Sequence, residues 1–273
     1  MIPELRTLNS ELNIMKWTTP KIKALKGEQK FAVLTAYDAL SGHYADEAGI
    51  PLILVGDSLA NTVLGYQNTL PVTMDEMVHH TAAVSRGVSD ALIVADMPFM
   101  SYQGTLDHAI ENAGRFIKEA GADAVKIEGG ALRAALVEKL TANGIPVLGH
   151  IGLTPQSVKE LGGFKKQGKT DEEARKLMDD AMVLEQAGAF AVVLECVPAE
   201  LAQKISTALQ IPTIGIGAGP HCDGQVLVFT DVLGMGQGHV PSFVKQYADL
   251  KPQIQQALAA YKADVEQGVF PAV

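Results

Sequence analysis

The amino-acid sequence predicts an α/β protein that folds as a single (β/α)8 barrel of the TIM type, with a short N-terminal helix and C-terminal helices. Eight short runs rich in Val, Ile and Leu recur along the chain, and segments with helical character separate most of them. Such runs, bounded by polar residues, are typical of buried strands in a parallel sheet. Alternating strands and helices predict right-handed crossovers, and eight strands in about 200 residues favour a closed barrel over an open sheet.

The predicted strands occur along the chain between residues 31 and 231. In order they are FAVLTAY (31–37), LILVG (52–56), ALIVAD (91–96), DAVKIE (123–128), IPVLGH (145–150), AFAVVLE (189–195), PTIGIG (212–217) and QVLVFTD (225–231). No Pro/Ser-rich linker divides them, so residues 18–273 are predicted to form one barrel domain.

Helices are predicted from periodicity and from end signals. They cover 18–29, 39–49, 105–120, 131–142, 170–188 and 241–268, and one more begins after Thr73. Thr73 and Thr170 each precede a glutamate by three residues, which is the capping-box pattern that starts a helix. The sequences EAGIP, EAGAD, ANGIP and QAGAF each place a glycine where a helix closes in the left-handed conformation. The polar segment 241–268 is expected to lie on the outside of the barrel.

Composition narrows the class of protein. The chain has 273 residues, 47% of them hydrophobic, and a formal net charge of −9, which argues against nucleic acid or an anionic membrane as a partner. No apolar run approaches the ~20 residues that span a bilayer, and no signal-peptide pattern is present. Because Cys196 and Cys222 are too few for a disulfide framework, a soluble, cytoplasmic protein with buried thiols is expected. Residues 1–17 are predicted to be an extension, poorly ordered over 1–14, with Met15 as a candidate start.

Four carboxylates each directly close a short apolar run. Asp57 follows LILVG, and Asp96, Glu128 and Glu195 close LIVAD, AVKIE and AVVLE. The carboxyl ends of barrel strands meet at one rim, where barrel enzymes place their active sites. Carboxylates that converge there repel one another unless a cation or shared protons compensate. A hard cation such as Mg²⁺, which takes oxygen ligands and leaves positions open for substrate, is the simplest resolution.

Each carboxylate also has a purely structural explanation. Asp57 could cap the turn after its strand, Asp96 stands in a turn-forming context, and Glu195 could be an ordinary rim residue. Glu128 and Lys126 are two positions apart on one strand, so they point the same way and could form only a buried ion pair. The joint pattern favours a functional site, because charged residues are rarely buried and these cluster by their position in the fold.

Basic and glycine-rich positions accompany the carboxylates. Close carboxylates hold the Lys126 ammonium charged, which suits stabilisation of an enolate or of a substrate carboxylate better than Schiff-base formation. His150 closes IPVLGH and is as compatible with a structural role as with catalysis. The GIGAG segment (215–219) is similar to a phosphate-binding loop or allows close backbone approach to a ligand, although it lacks the full dinucleotide pattern. His79 and His80 show no metal-ligand spacing.

A set of longer segments carries more specific information. They are TAYD (35–38), VGDSLA (55–60), LPVTMDEMVHHTAAVSRG (70–87), ADMPFMSY (95–102), VKIEGG (125–130), GHIGLTPQSV (149–158), VLECVP (193–198), IPTIGIGAG (211–219) and DGQVLVFTDVLG (223–234). Together they resemble the ketopantoate hydroxymethyltransferase family over residues 18–271, and GHIGLTPQ with VGDSL is the most specific part. Ala60, where many members carry glycine, departs from the pattern beyond the expected metal position.

The resemblance implies a Mg²⁺-dependent barrel that assembles as a homo-oligomer of decamer type. Members transfer a one-carbon unit from 5,10-methylenetetrahydrofolate to 3-methyl-2-oxobutanoate, giving 2-dehydropantoate for pantothenate synthesis. The motif matches imply Asp57, Asp96 and Glu128 as Mg²⁺ ligands, the last directly or through water. They imply Glu195 as the general base. The implied contacts of the keto acid are Asp57, Ser58, Asp96 and Lys126.

The chemistry that this resemblance implies is enolisation. Mg²⁺ chelated by the keto acid acidifies C3, Glu195 removes the proton, and the enolate, stabilised by Mg²⁺ and Lys126, attacks the methylene carbon of the folate. Three alternatives are a Mg²⁺-dependent lyase of the phosphoenolpyruvate mutase and isocitrate lyase type, a Schiff-base aldolase that uses Lys126, and a non-catalytic binding protein. The first typically carries a reactive cysteine in a lid loop, and no such motif is evident. The last would most simply have lost Glu195 or the metal carboxylates, and all are present.

Overall fold

The computed structural model describes residues 16–163, 165–236 and 240–272, and its strands form a closed parallel barrel. The strands are β1 (Phe31–Thr35), β2 (Leu52–Val55), β3 (Leu92–Asp96), β4 (Ala124–Glu128), β5 (Val147–Gly152), β6 (Ala191–Glu195), β7 (Thr213–Ile216) and β8 (Gly224–Leu227). Each pairs with the next, and β8 pairs with β1, where Gly224 lies opposite Phe31. The predicted (β/α)8 fold is confirmed. The expectations for residues 1–14 and for Met15 concern positions outside the described residues.

Helices surround this barrel. Within the described residues they are α1 (Thr19–Lys23), α2 (Ala39–Glu47), α3 (Leu59–Thr62), α4 (Met74–Gly87), α5 (Leu106–Lys118), α6 (Ala134–Ala142), α7 (Val158–Leu161), α8 (Asp171–Gln186), α9 (Ala199–Ala208), α10 (Phe229–Val232) and α11 (Leu250–Glu266). Short 3-10 turns span Ala131–Arg133 and Pro155–Ser157. None of the described helices combines the length and the apolarity that a bilayer crossing requires.

The predicted helix ends are present. Thr73 and Thr170 form reciprocal capping boxes with Glu76 and Glu173 at the starts of α4 and α8. The glycines predicted to close helices all have positive φ angles, with values of 76° for Gly49, 71° for Gly121, 79° for Gly144 and 101° for Gly188. Helix α9 was not among the predicted helices, although its sequence AELAQKISTA buries one face.

Strand β8 is shorter than predicted. The run QVLVFTD was expected to remain extended to residue 231, but the strand ends at Leu227. The Phe229 N–H donates to Thr35 Oγ1 at 3.1 Å instead of joining a strand ladder, and the chain turns into α10. A side chain of the first strand therefore sets the end of the last one.

The C-terminal segment also differs from its prediction. Residues 241–268 were expected to be helical throughout, whereas the helix covers only α11. The Tyr247 N–H donates to the Val232 carbonyl oxygen at 2.8 Å, so the chain before α11 is bonded to α10 and does not continue as a helix. Helix α11 buries none of its residues in the single chain, which agrees with the expected outside position.

The barrel interior has an apolar floor and a polar rim. Successive residues of a strand point to opposite faces, so every second residue lies inside. On β3, Leu92 and Val94 belong to the interior core, and the same alternation directs Asp96 inward at the carboxyl end. On β4, Ala124 lies in that core, and Lys126 and Glu128 follow it on the same face. The residues that face outward pack against the surrounding helices in a second, larger core.

Candidate active site

The structure brings the predicted site residues together at the carboxyl ends of the strands. They line one cavity of about 680 Å³, with contributions from Asp57, Ser58, Asp96, Lys126, Glu128, His150 and Glu195. All of the charged members except Glu195 are buried, and Glu195 is partly exposed. The sequence separates these residues by as many as 138 positions (195 − 57), so only the barrel makes them neighbours.

Lys126 is the centre of the polar cluster. Its Nζ lies 2.8 Å from Asp96 Oδ1, 3.7 Å from Glu128 Oε1 and 3.1 Å from His150 Nδ1. Burial lowers the pKa of Lys126, but Asp96, Glu128 and Asp57 outweigh it and raise that pKa above its ordinary value. The ammonium therefore stays charged, which disfavours a Schiff base because that reaction needs the neutral amine.

The three buried carboxylates differ in their charge environment. Burial first, and then repulsion by Asp96 and Glu128, raise the pKa of Asp57 well above its usual range. Burial also raises the pKa of Asp96, although Lys126 opposes the change. For Glu128, hydrogen bonding to His150 and attraction to Lys126 outweigh burial, so its pKa is lowered. Asp57 is thus the one of these three carboxylates that forms no ion pair with a basic side chain in the described part of the chain.

His150 connects the cluster to Glu195. Its Nε2 lies 3.1 Å from Glu195 Oε2, and its Nδ1 lies 3.5 Å from Glu128 Oε1. Burial and Lys126 lower the pKa of His150, and the two glutamates raise it to about 9. The distance from Nδ1 to Lys126 Nζ is shorter, 3.1 Å, and indicates a neutral imidazole. An ammonium can only donate, so Nδ1 must accept and therefore carries no proton. In the neutral tautomer Nδ1 accepts from Lys126 and Nε2 carries the proton. Nε2 lies 3.1 Å from Glu195 Oε2 but makes no hydrogen bond within the described residues.

Two observations bear on metal binding. Asp96 Oδ1 and Glu128 Oε1 are buried, and in the described part of the chain their shared polar partner is the Lys126 ammonium, at 2.8 Å and 3.7 Å. No group of three or more His, Cys, Asp or Glu side chains among those residues is arranged to hold a metal ion. Glu128 instead lies near Lys126 and His150. The residues that suit Mg²⁺ are Asp57 and Asp96, because this ion commonly takes one or two carboxylates together with water and substrate oxygens.

Gln156 is a site residue to which the sequence analysis gave no role. Its Nε2 donates to Asp57 Oδ2 at 3.0 Å and to the Met97 carbonyl oxygen at 2.9 Å, and its backbone N–H donates to Glu128 Oε2 at 3.0 Å. Its Oε1 accepts from the Tyr102 hydroxyl at 2.7 Å. One buried amide therefore orients two of the carboxylates. Its place in the LTPQ turn directly after β5 is the signal that could have indicated this role.

A hydroxyl group contacts Ser58, which follows Asp57 in the wall of the cavity. Ser58 Oγ lies 2.8 Å from the Tyr37 hydroxyl oxygen, which accepts from Thr35 Oγ1 at 3.0 Å. Thr35 also accepts the Phe229 N–H that ends β8. This chain of hydroxyls connects a predicted substrate contact to α10.

The backbone around Glu195 is closely packed. Gly152, opposite Glu195 in the β5–β6 register, has φ +94°, and a Cβ atom there would lie 2.3 Å from the Glu195 carbonyl oxygen. Cys196 follows with φ +48°. Burial, and then Glu195, raise the pKa of the Cys196 thiol to about 11, so it stays protonated at neutral pH. Cys196 and Cys222 are both free thiols.

The remaining candidate positions serve packing. His80 Nδ1 lies 2.6 Å from the Tyr37 carbonyl oxygen and is not part of the cavity wall. In the GIGAG segment, a Cβ atom at Gly217 would lie 2.9 Å from the ring of Phe243, and one at Gly219 would lie 2.5 Å from Ala199 Cβ. The backbone at these glycines therefore approaches side chains of the same chain closely.

Comparison with known proteins assigns the family. The sequence profile described as ketopantoate hydroxymethyltransferase matches residues 16–273. The chain belongs to the ketopantoate hydroxymethyltransferase family. A protein of Syntrophus aciditrophicus named 3-methyl-2-oxobutanoate hydroxymethyltransferase is 56% identical to it, covering 94% of each chain. A protein of Carboxydothermus hydrogenoformans with the same name is 58% identical, covering 93% of this chain and 92% of its own. The resemblance identified from the sequence is confirmed, and the family is one of transferase enzymes.

Solved structures with a similar fold are much more distant in sequence. Phosphoenolpyruvate phosphomutase from Streptomyces platensis superposes with a TM-score of 0.60 at 16% identity, over 92% of this chain and 88% of that one. Phosphonopyruvate hydrolase in complex with oxalate and Mg²⁺ superposes with a TM-score of 0.57 at 12% identity, over 94% and 92%. At this identity the likeness supports the barrel fold of this family member and carries no statement about its reaction.

Replacing Gln156 tests its role in orienting the carboxylates. Gln156→Leu removes the donors to Asp57 and Met97 and the acceptor for Tyr102, and each buried polar group left unpaired costs roughly 1–3 kcal/mol. We expect the melting temperature to fall by roughly 6–12 °C, measured by circular dichroism. Gln253→Leu is the matched control, because Gln253 is exposed on α11. Equal melting temperatures for the two variants would contradict this role.

Proposed function

We propose that this protein transfers a hydroxymethyl group from 5,10-methylenetetrahydrofolate to 3-methyl-2-oxobutanoate, giving 2-dehydropantoate for pantothenate synthesis. The observation that carries the proposal is the cavity in which Glu195 faces a charged Lys126 and the Asp57–Asp96 pair. Relatives at 54–58% identity that are named for hydroxymethyl transfer to this oxo acid support the choice of reaction. The two free thiols are compatible with a cytoplasmic location, which we also propose.

The cavity offers complementary surfaces to a branched 2-oxo acid. The Lys126 ammonium and the Ser58 hydroxyl provide hydrogen-bond donors for its carboxylate and keto oxygens. Val193 and Ile216 lie in the wall beside Glu195 and suit the isopropyl group. This orientation would place the hydrogen on C3 toward the Glu195 carboxylate.

Asp57 and Asp96 would hold a Mg²⁺ ion in this site. The mutual repulsion of the two buried carboxylates, which adds to burial in raising the pKa of Asp57, fits a cation there. When bound, the ion would supply Lewis-acid polarisation of the two oxygens of the oxo acid. Glu128, predicted as a third ligand directly or through water, has Lys126, His150 and Gln156 as its neighbours.

Glu195 would act as the general base. It is the least buried of the carboxylates in the cluster, and His150 Nε2 lies 3.1 Å from its Oε2. Removal of the C3 proton leaves negative charge on the keto oxygen, where the Lys126 ammonium stabilises it. C3 then forms a bond to the one-carbon unit of the folate, water supplies the hydroxyl group, and tetrahydrofolate leaves.

Exchange of the C3 hydrogen in D₂O tests this base without any folate. We expect Glu195→Gln to slow exchange and turnover by roughly 10²–10⁴-fold, because a general base contributes about that factor. Proton NMR of 3-methyl-2-oxobutanoate follows the exchange, and calorimetry checks that the oxo acid still binds. Glu200→Gln, an exposed position on α9, is the control and should exchange like wild type. Near-normal exchange by Glu195→Gln would assign the proton transfer to another group.

Metal binding has its own test. Asp96→Asn keeps the shape of the side chain but removes its charge, so we expect Mg²⁺ to bind at least ~10-fold more weakly by isothermal titration calorimetry. Chelation of the wild-type protein by EDTA should abolish C3 exchange, and added Mg²⁺ should restore it. Asp179→Asn, an exposed position on α8, serves as the control. Unchanged Mg²⁺ affinity in Asp96→Asn would refute the assignment of this ligand.

We further propose that the protein is a homo-oligomer, of the decamer type that its family resemblance implies. Helix α11 exposes an apolar stripe at positions four, three and four apart, formed by Ile254, Leu258, Tyr261 and Val265. An exposed stripe of this kind marks a surface that another chain covers. We expect light scattering to give a mass several times the 29.0 kDa of one chain.

Charge on the stripe should weaken this assembly. Leu258→Lys places an ammonium within the apolar surface and should lower the measured mass. Gln256→Lys adds the same charge to the opposite face of α11 and should leave the mass unchanged. A single-chain mass for the wild-type protein would contradict the proposal.

A further inference from the structure

The cavity is larger than the proposed oxo acid requires. Its volume of about 680 Å³ lies within the range of roughly 300–1,000 Å³ that encloses drug-sized ligands. The polar cluster around Lys126 forms its buried end. Much of the rest of the wall is apolar and includes Val228, Phe243 and Val244. This part has room for a larger group than the oxo acid.

One carboxylate, that of Asp231, lies in the otherwise apolar part. It lines the cavity and is half-buried on α10. Within the described residues its side chain makes no hydrogen bond or ion pair, and burial is what raises its pKa. Buried carboxylates are normally hydrogen-bonded, so this group is available to donors from a ligand. The mechanism above makes no use of it.

The segments that carry this subsite are fixed to the barrel. On one side of Asp231, the Phe229 N–H donates to Thr35 Oγ1 at 3.1 Å, and on the other, the Val232 carbonyl oxygen accepts from Tyr247 N–H at 2.8 Å. The ring of Phe243 is held against the backbone at Gly217, where a Cβ atom would lie only 2.9 Å away, yet 40% of Phe243 remains exposed. A carboxylate and an open aromatic side chain thus border the same space.

We propose that Asp231 and Phe243 form the subsite for the pterin ring of the folate, in which Asp231 accepts hydrogen bonds from the 2-amino group and the adjacent ring N–H. A carboxylate has only acceptors and can receive two parallel N–H groups, which is the pattern that this edge of a pterin presents. The face of Phe243 suits a flat heteroaromatic ring. The inference rests on the proposed function, since it locates the one-carbon donor of that reaction.

The proposal is tested by comparing the affinities of two ligands for two proteins. Tetrahydrofolate and its 2-desamino analogue are titrated by calorimetry into wild type and Asp231→Asn, with Mg²⁺ and the oxo acid present. Charge-assisted hydrogen bonds of this kind correspond to roughly 10- to 100-fold in affinity, so wild type should bind the analogue that much more weakly. Asp231→Asn should bind tetrahydrofolate more weakly by a similar factor and discriminate little between the two ligands.

The controls separate this inference from the proposed function. Asp264→Asn, an exposed aspartate on α11, should bind both ligands like wild type. If wild type binds tetrahydrofolate and the desamino analogue equally, the inference is overturned even if the Asp231 variant fails to fold. The same holds if Asp231→Asn discriminates as strongly as wild type does. If wild type binds no tetrahydrofolate and catalyses no transfer, the proposed function itself fails.

Discussion

The burial of one ammonium among three carboxylates is the constraint on which the site depends. Asp57, Asp96 and Glu128 are all buried around Lys126, so their ionised forms leave an excess of negative charge inside the barrel. An uncompensated buried charge costs several kcal/mol, and the raised pKa of Asp57 shows where that cost falls. Either a proton on Asp57 or a cation beside it restores the balance. The same constraint explains why the residue that contacts Asp57 from the turn after β5 is the neutral Gln156, since a glutamate there would add a further charge.

The sequence allowed most of the fold and the main site residues to be predicted, because both follow from local patterns. Apolar runs located every strand, and the alternation within a strand put Asp96, Lys126 and Glu128 on the inner face. The contributions that could not be predicted depend on contacts between distant segments. Gln156 bonds to Asp57 across 99 positions, and Phe229 ends β8 by bonding to Thr35 across 194. No local pattern records such pairs, so the role of Gln156 and the true end of β8 emerged only from the folded chain.

The barrel alone does not select the reaction. Phosphoenolpyruvate phosphomutase and phosphonopyruvate hydrolase share this architecture at 12–16% identity, so the fold by itself does not identify a reaction. The arrangement of side chains around the rim carries the chemical information. In the closed ring of strands, β2 with Asp57 and β6 with Glu195 are four strands apart, on opposite sides. A small oxo acid held at the Asp57 side would therefore present its remaining carbon atoms to Glu195, whose Oε2 lies 3.1 Å from His150 Nε2.

The graded burial of the cavity has a consequence for the order in which substrates enter. Lys126 and its carboxylate partners are buried, whereas Asp231 is half-buried and Phe243 is 40% exposed. If the folate lies between Asp231 and Phe243 as proposed, it would cover Lys126, and the oxo acid would have to bind before the folate. The enolate would then form in a space that the folate closes from above, and its C3 atom would meet the one-carbon unit rather than bulk water. In this arrangement the buried charges select the oxo acid, and the outer wall determines which one-carbon donor follows it.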